Sequence, residues 1–456
     1  MRDNVQKNTE DNALDREWRA GSLLRFALPT MVMMLFMGLY TIVDTIFVAR
    51  FVNTDGLSAI NIVCPLLNVT VGLGTMLATG GNALVARKMG SGENQAAREA
   101  FTLLIIAGAG LGLIIFGGGK LWLAKIIYAL GASDRLFPYC RDYLAVLLWF
   151  MPANLLQTLF ANLFITAGKP GLGFGLAIMA GAANILLDYL FIVPCGLGIR
   201  GAALGTGLGY LIPAAAGLVF FSRQRTGLGF TRPRIAHRAL PVLGESCFNG
   251  SSEMVSQLAT AVTTYLFNRT MMRLQGEDGV AAITIIIYAQ FLLNTLYIGY
   301  SMGIAPIVGF NYGSGNAIRQ KRVFAGSMGF IGAASLLIFA VSFWGGPYII
   351  RLFTASTAST SAVYQIAAPG FKIFSYSFLF CGLNIFTSAL FTALSNGKIS
   401  ALLSFLRTFG LLAAGIMLLP RLWGLPGVWL AVPLAEGIMF IISAACLFRY
   451  RQRYSY

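Results

Sequence analysis

Long apolar segments separated by short polar stretches make up most of this chain. A helix needs about 20 apolar residues to cross a hydrocarbon core of about 30 Å. Segments of roughly that length fall at about 24–48, 58–84, 101–119, 143–167, 171–193, 201–221, 240–268, 280–310, 323–343, 367–394, 399–420 and 427–448. The pattern predicts an all-α polytopic membrane protein with twelve transmembrane helices.

The composition agrees with that class. Hydrophobic residues make up 57% of the 456 residues and charged residues 11%, whereas soluble proteins carry about 25% charged residues. The net charge of +16 does not indicate nucleic acid, because cytoplasmic loops of membrane proteins are rich in Lys and Arg. The six cysteines are scattered, and no metal-binding or catalytic motif is present. We therefore expect no enzyme, no cofactor and no metal beyond a possible Na⁺.

Loop charges predict the orientation. If the N-terminus is cytoplasmic, the loops assigned inside hold about twice as many Lys and Arg as those outside. The first twenty residues are polar and mixed in charge, so we expect no signal peptide. Both termini are predicted to be cytoplasmic.

A repeat divides the chain at a basic linker, residues 229–238. Three short sequences occur twice: Gly-Ser-Gly at 90–92 and 313–315, Ala-Leu-Pro at 27–29 and 239–241, and Gly-Lys at 168–169 and 397–398. These landmarks come in matching order. They predict an N-lobe over 1–228 and a C-lobe over 239–456. The six helices of each lobe would be related by a pseudo-two-fold axis along the membrane normal, with a cavity between the lobes.

The fifth apolar segment carries one charge, Asp188, with Asn184 one turn earlier. Counting about 1.5 Å of rise for each helical residue, Asp44 in the first segment and Thr206 in the sixth fall in the same outer half of the membrane. Tyr40 lies one turn before Asp44. Two carboxylates, an amide and a hydroxyl suit a hard cation or a shared proton. The alternative for Asp188 is a buried structural hydrogen-bond acceptor.

Other deep residues suggest further roles. Glu253 and Gln257 lie on a polar face of the seventh segment, as candidate substrate ligands or packing residues. In the first segment, Met31, Met34, Met37 and Phe36 line either an adaptable pocket or ordinary packing and lipid contacts. Arg407 and Glu436 are expected to form a structural ion pair, because a lone charge at that depth is costly.

With these residues the chain resembles the multidrug and toxic compound extrusion (MATE) family of secondary transporters, in its MepA-like and DinF-like bacterial branch. The resemblance covers nearly the whole chain. Members carry an Asp in helix one, an Asn and an Asp one turn apart in helix five, and a Thr in helix six. These positions correspond here to Asp44, Asn184, Asp188 and Thr206. Where some relatives carry an acid in helix ten, this chain has Asn384.

The resemblance implies a function. A MATE protein exports cationic, amphipathic compounds across the bacterial plasma (inner) membrane in exchange for H⁺ or Na⁺, by alternating access. We accordingly expect small-molecule substrates, the lipid bilayer as environment, no nucleic acid, and a monomer. The alternatives are a flippase for lipid-linked oligosaccharides from the same superfamily, or a receptor or scaffold that transports nothing.

Overall fold

The structure is a computed structural model that describes residues 13–52, 54–224, 227–232, 235–354 and 362–456. Within these ranges, the side chains at 41–46, 48–50, 54, 57, 235–239 and 352–354 lie outside the description. Every regular element in the described ranges is helical.

The helices follow the apolar segments closely. They are α1 (Ala20–Phe51), α2 (Thr54–Gly90), α3 (Asn94–Leu121), α4 (Leu123–Ala129), α5 (Phe137–Leu147), α6 (Met151–Thr166), α7 (Pro170–Ile192), α8 (Ile199–Arg223), α9 (Ile235–Asn249), α10 (Ser251–Gly313), α11 (Ala317–Thr354), α12 (Ala362–Phe374), α13 (Phe378–Ala393), α14 (Gly397–Phe405), α15 (Ala414–Trp423) and α16 (Leu425–Tyr454). Short 3₁₀ turns join α5 to α6 and α12 to α13, and a π-helix over Leu406–Ala413 joins α14 to α15.

Helix α10 crosses the membrane twice. Its 63 residues would extend about 95 Å if straight, three times the hydrocarbon thickness. Both of its ends nevertheless contact α2, through Met254 against Gly72 and Gly313 against Arg87. Gly276 interrupts the helix with φ 64° and ψ −149°, a conformation that glycine adopts readily because it has no Cβ.

The number of spans follows. Eleven stretches of the described residues are long and apolar enough to span a membrane. One of them, α10, folds back at Gly276 and crosses twice, so the described residues provide twelve crossings. The prediction of an all-α protein with twelve transmembrane helices is confirmed.

The two-lobe repeat is visible in the turns. Gly92 and Gly315 both take left-handed backbone after α2 and α10, with the same hydrogen-bond pattern on each side. The 3₁₀ turn at Leu148–Phe150 comes directly before α6, and its counterpart at Ser375–Ser377 comes directly before α13. Gly198 and Gly424 share nearly the same φ and ψ before α8 and α16. The predicted repeat of six helices is confirmed.

The Gly-Lys landmark of the repeat is shifted by two residues between the two lobes. The residue with left-handed backbone after α6 is Gly168 (φ 72°), and its counterpart after α13 is Ser395 (φ 57°). Their hydrogen bonds match as well: Gly168 N–H donates to Ile165 and Ser395 N–H to Thr392. Residues 168–169 therefore correspond to 395–396, and the Gly-Lys sequence at 397–398 lies two residues further along the chain.

The linker and the start of the predicted C-lobe pack against N-lobe helices. Arg98 of α3 donates to the backbone oxygens of Gly229 and Phe230, and α9 packs against α2 and α3. Residues 225–226 and 233–234 lie outside the described residues. The lobe boundaries at 228 and 238 remain predictions.

Candidate ion and substrate sites

Helix α7 buries an acid and an amide one turn apart. Asp188 and Asn184 are each 1% exposed. The Asn184 amide nitrogen donates to Thr206 Oγ1 of α8 at 3.3 Å, so three of the residues predicted for the ion site come together here. Asn184 Oδ1 is buried and accepts no hydrogen bond from the described residues. The site thus has an oxygen ligand free to bind a cation.

Glycines on α8 create the space for these side chains. Gly201, Gly205 and Gly209 lie four residues apart and so share the face that packs on α7. A Cβ at Gly205 would overlap the carboxylate oxygen Oδ1 of Asp188, and one at Gly209 would lie 3.5 Å from Asn184 Cβ. Sequence analysis assigned Gly205 no role, although its spacing from Gly201 and Gly209 was a visible signal.

The first span lies against the same part of α7. A Cβ at Gly181 would lie 2.7 Å from Phe36 Cε1 and 3.8 Å from Tyr40 Cδ2. As first and fifth spans, α1 and α7 cross in the same direction. The α1 backbone is helical through Phe51, so residue 44 lies one turn beyond Tyr40. Asp188 lies two turns beyond Gly181 on α7. Both acids therefore follow the contact between α1 and α7 in the same direction along their helices. The Asp44 side chain lies outside the described residues.

Glu253 lies next to the contact between the lobes. Its neighbours Met254 and Gln257 face Gly72 of α2, where a Cβ would lie 2.8 Å from Met254 Sδ and 3.2 Å from Gln257 Cβ. Glu253 itself is half-buried and has no ion-pair partner among the described residues. A carboxylate of this kind can attract a cation strongly, since the surrounding dielectric is low.

The four residues of the predicted methionine pocket differ in burial and in contacts. The Met31 backbone packs against Gly299 of α10, whereas the Phe36 ring packs against Gly181 of α7. Met34 is half-buried and Met37 is 43% exposed. The role of these residues in substrate binding remains a prediction.

The predicted ion pair of the C-lobe has close contacts. Arg407 Nε and Nη2 each lie 2.8 Å from Glu436 Oε1. The Asn384 amide donates to Glu436 Oε2 at 2.7 Å and to its backbone oxygen at 3.0 Å. The contact between Asn384 and Glu436 is not visible in the sequence, because spans ten and twelve are far apart in the chain.

A surface cavity of about 550 Å³ lies elsewhere, between α3, α5 and α8. Lys120, Arg141 and Arg200 line it with one acid, Asp142. Its net positive charge does not suit a cationic compound, and none of the predicted site residues lines it. Among the described residues, no three His, Cys, Asp or Glu side chains come together as metal ligands.

Two repeated six-helix lobes in one polytopic membrane protein are an architecture shared by many secondary transporters. The sequence model of the MatE family matches residues 29–190 and 254–416, one stretch in each lobe. This chain belongs to the MatE family, and the resemblance to MATE transporters with MepA-like members is confirmed.

Two relatives match this chain over nearly its whole length. Multidrug export protein MepA of Staphylococcus aureus is 21% identical over 432 residues, 95% of this chain and 94% of the relative. MepA of Staphylococcus haemolyticus is 23% identical over 441 residues, with the same coverage.

Two solved structures have the same fold. An outward-facing multidrug resistance MATE transporter superposes with a TM-score of 0.87 at 19% identity, over 98% of this chain and 100% of that one. A transporter of the MOP superfamily from Pyrococcus furiosus, described as having a binding pocket of reverse polarity, superposes with a TM-score of 0.88 at 20% identity, over 98% and 99%.

The glycine at position 205 provides a test of the N-lobe geometry. Gly205→Ala should displace the Asp188 carboxylate, because the added methyl group would overlap it. We expect the affinity for a cation at this candidate site to fall by about tenfold, the effect of losing about 1.4 kcal/mol. The measurement is thermal stability of the purified protein as a function of Na⁺ and pH. Gly175→Ala on α7 is the control, since a Cβ there would meet open space. Equal ion responses in both variants would contradict the geometry.

Proposed function

We propose that this protein is a cation-coupled antiporter that exports cationic, amphipathic compounds from a bacterial cell in exchange for H⁺ or Na⁺. The observation that carries the proposal is the pair of buried residues Asp188 and Asn184 on α7, with Thr206 of α8 hydrogen-bonded to Asn184. The relatives named multidrug export protein supply the class of substrate. The antiporter acts as a monomer in the inner membrane.

The buried acid explains why the proposed antiporter needs a coupling ion. A carboxylate in a membrane-spanning helix is expensive unless a proton or cation neutralises it. Asp188, Asn184 Oδ1 and Thr206 Oγ1 offer oxygen ligands that suit Na⁺, and the carboxylate alone suffices for a proton. Asp44 is the second acid of the proposed site. The two acids then titrate or bind the ion as a unit.

Drug and ion binding oppose each other in this mechanism. A cationic compound either competes for the same negative charge or favours the opposite arrangement of the lobes. Either route makes bound ion weaken drug binding, and the effect is reciprocal in free energy. Exchange across the membrane follows when each ligand is released on a different side.

Alternating access is supported by a contact between the lobes that we call the inner seam, formed by α2 with α9 and α10. Its backbones touch through glycines: a Cβ would overlap a backbone oxygen of the facing helix at Gly80, Gly90, Gly250 and Gly313. Arg87 and Glu245 form an ion pair across it at 2.8 Å. That pair is partly exposed and contributes about 1 kcal/mol or less. The seam can therefore part without breaking a strong bond.

The inner seam lies at the membrane face where α2 and α10 end. We assign that face to the cytoplasm, together with both termini, from the bias of basic residues. In this arrangement the cytoplasmic entrance is closed, which is the state in which an exporter releases its substrate outside.

The orientation has a direct test. A reporter fused after Tyr456 should report the cytoplasm, and one inserted at Gly276 should report the outside, because Gly276 follows the seventh crossing. The measurement is the activity of a reporter enzyme that functions on one side only. The reverse pattern would overturn the assignment of the inner seam to the cytoplasm.

Asp188→Asn tests the coupling site. Asn keeps the shape of the side chain and removes its charge, so we expect folded, inserted protein with coupled export reduced at least tenfold. The measurement is efflux of a cationic dye from inverted vesicles with Na⁺ and pH gradients imposed separately. Asp278→Asn, an exposed acid beyond Gly276, is the matched control. Wild-type export with unchanged ion dependence in Asp188→Asn would refute the site.

Glu253→Gln tests the preference for cations. We expect it to weaken transport of cationic compounds severalfold more than transport of neutral ones, because the charge in low dielectric is lost while the hydrogen-bonding shape stays. Glu277→Gln, an exposed substitution of the same type, is the control. Equal losses for both kinds of compound, at normal expression, would instead indicate a packing role.

A further inference from the structure

The C-lobe holds a polar group at the position equivalent to the α7–α8 contact of the N-lobe. Helices α14 and α16 are the repeat equivalents of α7 and α8, and aligning their first residues relates the two contacts. This alignment places Arg407 on the position of Ala180 and Glu436 on that of Tyr210. In the N-lobe, Ala180 contacts α8 at Gly209, beside Asn184. Asn184 and Thr206 each lie four residues, about one helical turn, from the positions that correspond to Arg407 and Glu436, and Asp188 lies about two turns from the position of Arg407.

The two lobes differ in how this contact is charged. Helix α7 has one charged residue, Asp188, and α8 has arginines only at its ends, Arg200 and Arg223. In the C-lobe a cation stands in the middle of the span, at Arg407. It lies in the π-helix over Leu406–Ala413. π-Helical turns are rare in proteins, and those that occur are often found at functional sites.

The ligands around Arg407 have the chemistry of a cation site. Glu436 is 5% exposed and both of its carboxylate oxygens are engaged, Oε1 by Arg407 and Oε2 by Asn384. Asn384 is 2% exposed, and its Oδ1 accepts no hydrogen bond from the described residues. A buried carboxylate and an amide with an unsatisfied oxygen are the same pair of groups that Asp188 and Asn184 provide in the N-lobe.

Arg407 is the more exposed partner of this pair. The Arg407 side chain is 21% exposed, whereas that of Glu436 is 7% exposed. Truncation of Arg407 to alanine would therefore remove the guanidinium from a carboxylate that is almost fully buried.

We propose that Glu436, held in place by the hydrogen bonds from Asn384, forms a second cation site in the C-lobe, for guanidinium-like and small ammonium cations, and that Arg407 permanently occupies it. In this proposal the cation of the C-lobe site is the guanidinium of Arg407, which is part of the chain itself. The inference deepens the proposed function, because it assigns the exchangeable ion to the N-lobe, yet the site itself is tested without any transport measurement.

Arg407→Ala is the variant that empties the site. Removing one partner of a buried pair is strongly destabilising because it leaves an uncompensated charge, and neutralising the second partner as well removes that charge. We expect purified Arg407→Ala to unfold at a lower temperature than wild type. Millimolar guanidinium or methylguanidinium should restore its midpoint saturably, while tetraethylammonium, which is too large, should not. Arg421→Ala, which removes an exposed arginine of α15, should show no such rescue.

The double variant Arg407→Ala/Glu436→Gln separates charge from packing. It should unfold near the wild-type temperature and show no response to guanidinium, because no buried charge remains. The proposal is overturned if guanidinium shifts single and double variants alike, or if the double variant is as unstable as the single one. If Arg407→Ala does not accumulate in the membrane, wild-type accumulation of the double variant supports the proposal, and its failure to accumulate contradicts it.

Failure of this inference is distinct from failure of the proposed function. Thermal rescue depends only on the C-lobe, so it stands even if wild-type protein shows no ion-coupled efflux. Conversely, a protein that exports with full ion coupling while Arg407→Ala shows no rescue retains the function and loses this second site.

Discussion

A carboxylate buried in a membrane-spanning helix must be compensated by a positive charge or a proton, and the polar features of both lobes follow from that constraint. In the C-lobe the compensation is visible: the Glu436 carboxylate forms an ion pair with Arg407, accepts a hydrogen bond from Arg407 Nε and accepts another from the Asn384 side chain. In the N-lobe, Asp188 lies with Asn184 and Thr206 on helices whose interiors carry no basic residue. Our proposal gives that lobe an ion taken from solution, which is what coupling requires.

Close helix contacts make this arrangement possible. The carboxylate of Asp188 fits between α7 and α8 because Gly205 has no side chain. The inner seam likewise depends on backbones that touch at Gly80 and Gly250. Small residues allow such an approach without large apolar side chains that would lock the helices together. Small residues thus provide room for a buried charge in the N-lobe and, in our proposal, for a lobe contact that separates during transport.

Much of this could be predicted from sequence, for identifiable reasons. The twelve spans follow from apolar length, and the repeat follows from turn residues such as Gly92 and Gly315. The one-turn spacing of Asn184 and Asp188 placed both on one face of a helix. Contacts between distant spans could not be predicted: Asn384 against Glu436 depends on packing that no local spacing encodes. The register of the Gly168 turn was also hidden, because serine rather than glycine takes the left-handed backbone at position 395.

The most direct test of the account is a count of the protons or Na⁺ ions released when a permanently charged cation binds. Tetraphenylphosphonium carries no titratable group, so calorimetry in buffers of different ionisation enthalpy reports protons released by the protein itself, and the same titration at several Na⁺ concentrations reports Na⁺. The account predicts ion release on binding in wild type, no release in Asp188→Asn, and unchanged release in Asp278→Asn. Release that persists in Asp188→Asn, or binding to wild type that displaces neither ion, would contradict it.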